Sequence, residues 1–353
     1  MITDINFTKN WIQSKNSSKT DRSKTLEKVV YAMHLLEELV KTEIPFVFKG
    51  GSSLLLIFEN LQRFSIDIDI LIDKNNYHKM QDSLGKIIGT KFSEYHEDIR
   101  KPTVFEKHHF KFYYHSVFRN DIQPYILLDI VVDTIPYKRL QNKIIKSNLL
   151  DVSEPMFYVS VPSAEEMLGD KLSAFAPTTV GITYDSEKYT EIVKQMFDCS
   201  RLIAVCREYV IVKDTYIEIC NRELRYRELE KHNWKHCLED TIETCKLIIS
   251  QGKYGDKGKY DLLRKNGIDG FSNYIVDNFG VHDGIVCAMD VYIYCIMIKC
   301  ESEEKYIEIS GTADTRKCRA DFMGNWNAKF LRSIYGERYS NFQKAIFVEQ
   351  SLI

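Results

Sequence analysis

Two pieces of the segment 49–72 carry the clearest chemistry in this chain: a Gly50-Gly51-Ser52 turn and the pair Asp67-x-Asp69. Backbone N–H groups of a glycine turn that opens a helix can hold phosphate. Two carboxylates offer hard oxygens that suit Mg²⁺ or Mn²⁺ better than zinc. The alternation of Ser65, Asp67 and Asp69 with Ile66, Ile68 and Ile70 predicts a strand with both carboxylates on one face. Same-face neighbours lie about 7 Å apart along a strand, so the two charges repel unless a cation bridges them or water screens them. The competing reading is a solvated strand face. The adjacent glycine turn favours a metal, and the two features together point to a phosphate-bearing substrate.

The elements that must position these residues are legible around them. Phe46-Val47-Phe48 reads as a short buried strand, and Ser52-Ser53 as the cap of a helix running from Leu54 to Glu59. A helix over Ser23–Lys41 precedes them, with Leu26, Val29, Val30, Met33, Leu36 and Val40 at helical spacing. Further strands are predicted near Lys107–His115, Tyr125–Asp133 and Met156–Val161. Asp129 lies in the middle of the apolar strand YILLDIVVD, where a lone carboxylate is costly unless paired or metal-bound. The alternative is an edge strand that exposes Leu127, Asp129, Val131 and Asp133. Ser163-Ala164-Glu165-Glu166 opens a helix in capping-box style, and Lys171 sits close to its apolar face. An ordinary surface lysine is the alternative there. In the next helix, 187–205, Lys194 and Asp198 share a face, as a surface ion pair would also require.

The string Lys49-Gly50-Gly51-Ser52, then Leu54 and Leu56, then Arg63-x-Ser65-x-Asp67-x-Asp69 resembles the nucleotidyltransferase toxins of the AbiEii/AbiGii type. These belong to the polymerase-β-like nucleotidyltransferase superfamily. Ser52 stands where Thr is common, and the stretch before Arg63 is slightly longer than usual. The resemblance covers roughly residues 25–205. It implies that Asp67 and Asp69 bind metal, with Asp129 as third ligand or as base toward the acceptor hydroxyl. It implies that Lys49, Gly50, Gly51, Ser52, Arg63, Ser65 and Lys194 contact the nucleotide. Lys171-Leu172 matches the family lysine that reaches the triphosphate, and Asp198 matches an acid that orients that lysine or the acceptor. Gln195 departs from the pattern, standing where the family has an acid. The implied activity is Mg²⁺- or Mn²⁺-dependent transfer of NMP from an NTP to a cellular acceptor such as tRNA. The implied role is the toxin of a type IV toxin–antitoxin or abortive-infection system with a cognate antitoxin. The rival from another class is a silent nucleotide- or partner-binding protein on the same scaffold, which Gln195 favours and the intact Asp-x-Asp disfavours.

The whole chain sets outer bounds. Its 353 residues allow two domains, and 48 basic against 50 acidic residues leave a net charge of −2, so no global affinity for polyanions follows. Binding of RNA would need a local patch, for which Arg316, Lys317, Arg319, Lys329 and Arg332 are candidates. All nine cysteines lie at or after Cys199, an odd count that does not describe a disulfide scaffold. The polar N-terminus has no secretory pattern, and the longest apolar stretch, Ile285–Ile298, is short for a bilayer and contains Asp290. A cytoplasmic protein with no membrane partner is the expectation. His232, His236 and Cys237 lack a convincing fourth zinc ligand. The predicted fold class is α+β. It comprises a loosely structured 1–22, a nucleotidyltransferase core over 23–205 (a mixed sheet with flanking helices) and a mainly helical domain over 206–353. Helices are predicted there over Glu223–Gln251, Lys259–Arg264, Ile285–Ile298 and Ala328–Tyr335.

Overall fold

The structure is a computed structural model that describes all residues except 17–19, 59, 101–104, 119–121, 277, 316–327 and 353, with backbone only for 328–333. It divides into two compact units, Met1–Ser163 with Tyr274–Asp277, and Ala164–Asn273 with Asn278–Ile353.

The first unit is built on one mixed seven-stranded sheet. Its strands are β1 (Val47–Lys49), β2 (Ile68–Ile72), β3 (Phe92–Glu97), β4 (Glu106–Tyr114), β5 (Tyr125–Val132), β6 (Leu140–Ile144) and β7 (Tyr158–Pro162). They lie in the order β3-β4-β5-β2-β1-β7-β6. β2 runs parallel to β5 and β1 parallel to β7, while the other neighbours are antiparallel. Strict alternation gives the sheet two different faces. Phe48, Ile68, Ile70, Ile72, Phe110, Phe112, Ile126, Leu128 and Ile130 face one core, which they share with Leu26, Val29, Val30, Met33 and Leu36 of α2 (Ser23–Val40). Each such side chain contributes about 1.5–3 kcal/mol on burial. The opposite face is where polar residues of the same strands fall. The remaining helices of this unit are α1 (Lys9–Ser14), α3 (Gly50–Ile57) and α4 (Lys74–Ser83).

Three expectations need correction. The strand around the acidic pair begins at Ile68, not Ser65. β1 ends at Lys49, opposite Asp69, where the chain turns into α3, so no antiparallel neighbour continues the ladder past that point. Residues 1–16, expected to be loose, are ordered. Ile2, Phe7 and Ile12 are buried, and Asn6 is held by Asp151, its Nδ2 donating to the Asp151 carbonyl at 2.7 Å and its Oδ1 accepting from the Asp151 N–H at 2.8 Å. The boundary expected at 205/206 lies instead at Ser163/Ala164, because α5 (Ala164–Ala174) and α6 (Tyr189–Ile203) pack in the second unit. Gly169 lets α5 approach α7 (Tyr209–Tyr226) so closely that a Cβ there would lie 2.9 Å from the Val212 carbonyl.

The second unit is helical. After α7 the single helix predicted over Glu223–Gln251 is broken. Asn233 caps a new helix, α8 (Trp234–Ile249), by accepting from the Lys235 N–H at 3.0 Å. Next come α9 (Lys257–Leu262), a π-helical turn, α10 (Asp269–Phe271), α11 (Val281–Lys299), α12 (Glu303–Gly311) and α13 (Ala328–Ser351), which kinks at Gly336. α11 extends the predicted 285–298 to 19 residues, so by length and composition alone it could cross a membrane. In the structure α6, α8 and α13 surround it. Its Asp290 accepts from Ser200 Oγ at 2.9 Å and pairs with Arg338 at 2.8 Å.

One buried histidine in the first unit gives a pH prediction. His34 of α2 lies edge-on to Phe7 and stacked on Phe92. Burial, with help from Lys41 and Lys91, lowers its pKa from 6.5 to about 3. Between those values the unfolded chain binds a proton that the folded chain refuses, so stability falls as pH drops, by at most about 1.4 kcal/mol per unit. The expected outcome is that His34→Phe, which keeps the ring contacts, loses less of its thermal midpoint than the unsubstituted chain between pH 6.5 and pH 4.5. Equal losses in parallel melts would contradict this account.

Candidate functional site

The sheet register assembles a row of polar residues. Lys49 on β1 is opposite Asp69 on β2, Asp69 is opposite Asp129 on β5, and Asp129 is opposite His109 on β4. All four side chains therefore leave the same face, on four consecutive strands. Neighbouring strands lie about 4.8 Å apart, so the two carboxylates are closer across the strands than Asp67 and Asp69 were expected to be along one. Asp69 and Asp129 are half-buried and Asp67 is exposed. Asp129 Oδ1 lies 2.6 Å from His109 Nδ1. Asp129 is thus on an interior strand, not at an edge, since β4 flanks it on one side and β2 on the other.

The glycine turn packs directly on this row. Helix α3 begins at Gly50, two residues before the predicted cap, with Lys49 as its N-cap residue. Gly50 has φ +76°, and a Cβ built on it would overlap the Asp69 carboxylate, lying 2.7 Å from its Cγ. Gly51 is as tightly placed: a Cβ there would lie 2.5 Å from Arg63 Nη2 and 2.7 Å from Ser65 Oγ. Ser52 Oγ donates to the Asp67 carbonyl at 2.5 Å. Arg63 is buried and donates from Nη1 to the Phe64 carbonyl at 3.1 Å. Its guanidinium therefore supports the turn from within. The Lys49 ammonium lies 5.9 Å from the centre of the Tyr137 ring.

This contact makes Gly50 a sharp test of the geometry. Gly50→Ala is expected to add about 1–3 kcal/mol of backbone strain and to displace the Asp69 carboxylate, costing about 100-fold in any catalysis that depends on it. Activity assays alongside thermal melts check it, and an active, fully stable Gly50→Ala would show that the close contact does not matter.

The second unit carries its own buried ion pair. Lys171 of α5 and Asp198 of α6 are 6% and 1% exposed, and Lys171 Nζ lies 3.0 Å from Asp198 Oδ2. Lys171 also donates to Gln195 Oε1 at 3.1 Å, so the residue that departs from the family pattern still holds the lysine through an oxygen. Lys171 is not an ordinary surface lysine. Lys194 turns to Glu191, donating at 2.6 Å.

Other candidates fall elsewhere. His236 Nδ1 accepts from the Asn233 N–H at 3.1 Å within the α8 capping box, and Cys237 is buried, so this group serves the helix start. His34, Glu37 and Glu38 also lie together, but Lys41 Nζ is 2.8 Å from Glu37 and 2.7 Å from Glu38, so an ammonium already bridges the two carboxylates. Arg316, Lys317 and Arg319 lie outside the described residues, as do the side chains of Lys329 and Arg332. Sequence reasoning missed His109. The alternation of β4 was readable, but only the β4–β5 register sets His109 against Asp129.

The oxygen donors here are of the kind a hard divalent cation takes: the Asp69 and Asp129 carboxylates face each other on neighbouring strands, Asp67 is exposed just before β2, and His109 Nδ1 meets Asp129.

A family model described as the nucleotidyl transferase AbiEii toxin of type IV toxin–antitoxin systems matches residues 34–252. No curated protein matches the chain. Among solved structures it is similar to MenT4, a nucleotidyltransferase toxin from Mycobacterium tuberculosis. The identity is 9% and the TM-score 0.47, over 80% of this chain and 88% of that one. A shared mechanism does not follow from a likeness at that level.

Proposed function

The chain belongs to the AbiEii family of nucleotidyltransferase toxins, and from that premise we propose that it transfers NMP from an NTP to a cellular RNA. In this reading it does so with Mg²⁺ or Mn²⁺, as the toxin of a toxin–antitoxin pair whose activation halts growth, for instance during phage infection. The observation that carries the chemistry is the register of Asp69 against Asp129 with the Gly50 turn closed on Asp69.

Asp67, Asp69 and Asp129 would hold the cation. When bound, it would neutralise phosphate charge and the charge that builds on the leaving pyrophosphate. The N–H groups of Gly51 and Ser52, at the start of α3, take triphosphate oxygens. Lys49 and Ser65 contact the nucleotide near the same turn, which the buried Arg63 braces. Asp129 receives the acceptor hydroxyl proton or shares the cation. In the second unit, Lys171, kept oriented by Asp198 and Gln195, and Lys194 keep the nucleotide-contacting role that the family pattern gives them.

RNA is favoured over protein as the acceptor by family membership alone. The test is incubation with each of the four α-labelled NTPs, Mg²⁺ and a cell extract split into RNA and protein fractions. Label in RNA that requires Asp67 and Asp69 supports the reading, whereas label confined to protein, or none, overturns the acceptor assignment.

A further inference from the structure

We propose that His109 is a positioning residue for Asp129: its ring N–H holds one carboxylate oxygen and thereby presents the other to the cation or the acceptor hydroxyl. This rests on the reading of Asp129 as the third carboxylate of the site.

The argument starts from the strand. On β4 the side chains of Lys107, His109, Lys111 and Tyr113 leave one face, and His109 is the one of these that is buried, at 9% exposure. It is directly opposite Asp129, and the 2.6 Å separation of His109 Nδ1 from Asp129 Oδ1 is short for a nitrogen–oxygen hydrogen bond. An ionised carboxylate only accepts, so the imidazole donates through Nδ1–H, which also sets its tautomer. An aspartate on a flat strand face can turn about its terminal torsion at little cost, because sp³–sp² torsions are broad. Fixing Oδ1 removes that freedom and leaves Oδ2 for a ligand. Asp69, the other register partner of Asp129, stands on the far side from His109. The carboxylate is therefore clamped from β4 and left to β2.

The neighbouring histidine supplies an internal control. His108 leaves the opposite face of the same strand, stacks on Tyr77 with ring centres 4.3 Å apart, and meets Glu97 and Glu106 at 3.2 Å each. Two adjacent histidines thus have separable roles, and only one touches the row.

The experiment measures Mn²⁺ binding to the full chain by loss of the free-ion electron paramagnetic resonance signal, without nucleotide, together with NMP transfer. His109→Leu is expected to weaken Mn²⁺ binding about 10-fold or more, the usual effect of losing a group that orients a metal ligand. His109→Asn, whose amide N–H can occupy the place of Nδ1–H, should restore most of that loss. His109→Gln, whose amide reaches the place of Nε2 instead, should not. His108→Leu should bind as the unsubstituted chain does. Unchanged binding by His109→Leu, or His109→Asn no better than His109→Gln, overturns the proposal; the second comparison stands even if the leucine variant does not fold. Asp129→Asn separates the two levels. If it leaves Mn²⁺ binding intact, the metal reading of Asp129 fails and His109 falls with it. If it abolishes binding while His109→Leu does not, only the role of His109 is lost.

Discussion

Asp69→Asn is expected to lower NMP transfer about a thousandfold without unfolding the protein. The substitution keeps the shape of the side chain and removes its charge at the centre of the Lys49–Asp69–Asp129–His109 row. Loss of a carboxylate that holds the catalytic cation removes several kcal/mol of transition-state stabilisation, and about 4 kcal/mol corresponds to a thousandfold. Stability without metal should change little. Asp69 faces Asp129 on one side and Lys49 on the other, so neutralising it removes a repulsion and an attraction together. In EDTA the variant should therefore melt near the midpoint of the unsubstituted chain, and added Mn²⁺ should raise the midpoint of the unsubstituted chain but not of the variant. A variant that melts far lower in EDTA would mean that Asp69 is structural.

Asp198→Ala carries the largest expected effect on stability. Its removal leaves the Lys171 ammonium buried with only Gln195 Oε1 and whatever else surrounds it, and breaking a buried pair from one side costs about 3–5 kcal/mol. In a unit of this size that lowers the midpoint by roughly 10 °C. Replacing both partners by apolar residues of similar volume, as in Lys171→Met with Asp198→Leu, is often neutral or better. The double variant should therefore regain most of the lost stability. Transfer activity should remain absent in it, because the ammonium group assigned to the triphosphate is gone. A double variant that is both stable and active would show the pair to be a packing device only.

These predictions also mark where sequence reasoning reached its limit. The Gly-Gly-Ser turn and Asp-x-Asp are local: a few residues dictate a turn, a helix start and a face, and two adjacent glycines mark a tight turn with close backbone approach, while the contact of Gly50 with Asp69 is visible only in the structure. Asp129 could be singled out because a lone carboxylate in an apolar strand demands an explanation. Its partner could not, since His109 is set against it only when β4 pairs with β5 in one particular register. The beginning of β2 was misjudged for a related reason. Alternation continues back to Ser65, but the ladder begins at Ile68, and alternation alone does not show where pairing starts. The unit boundary was drawn too late because the motif helices α5 and α6 were grouped by family pattern. Their packing partners, the next helix α7 and the more distant α11, both lie beyond residue 205. The polar N-terminal segment looked unstructured because its few apolar residues, Ile2, Phe7 and Ile12, have no periodicity to announce that each is buried.

The most direct measurement of the central claim compares two labels on the same nucleotide. The protein is incubated with Mg²⁺, cellular RNA and an NTP labelled either at the α- or at the γ-phosphorus. Transfer of NMP moves the α label to the acceptor and releases the γ label as pyrophosphate, and both events should disappear in Asp69→Asn. Appearance of the γ label on the acceptor, or transfer that survives Asp69→Asn, would contradict the account.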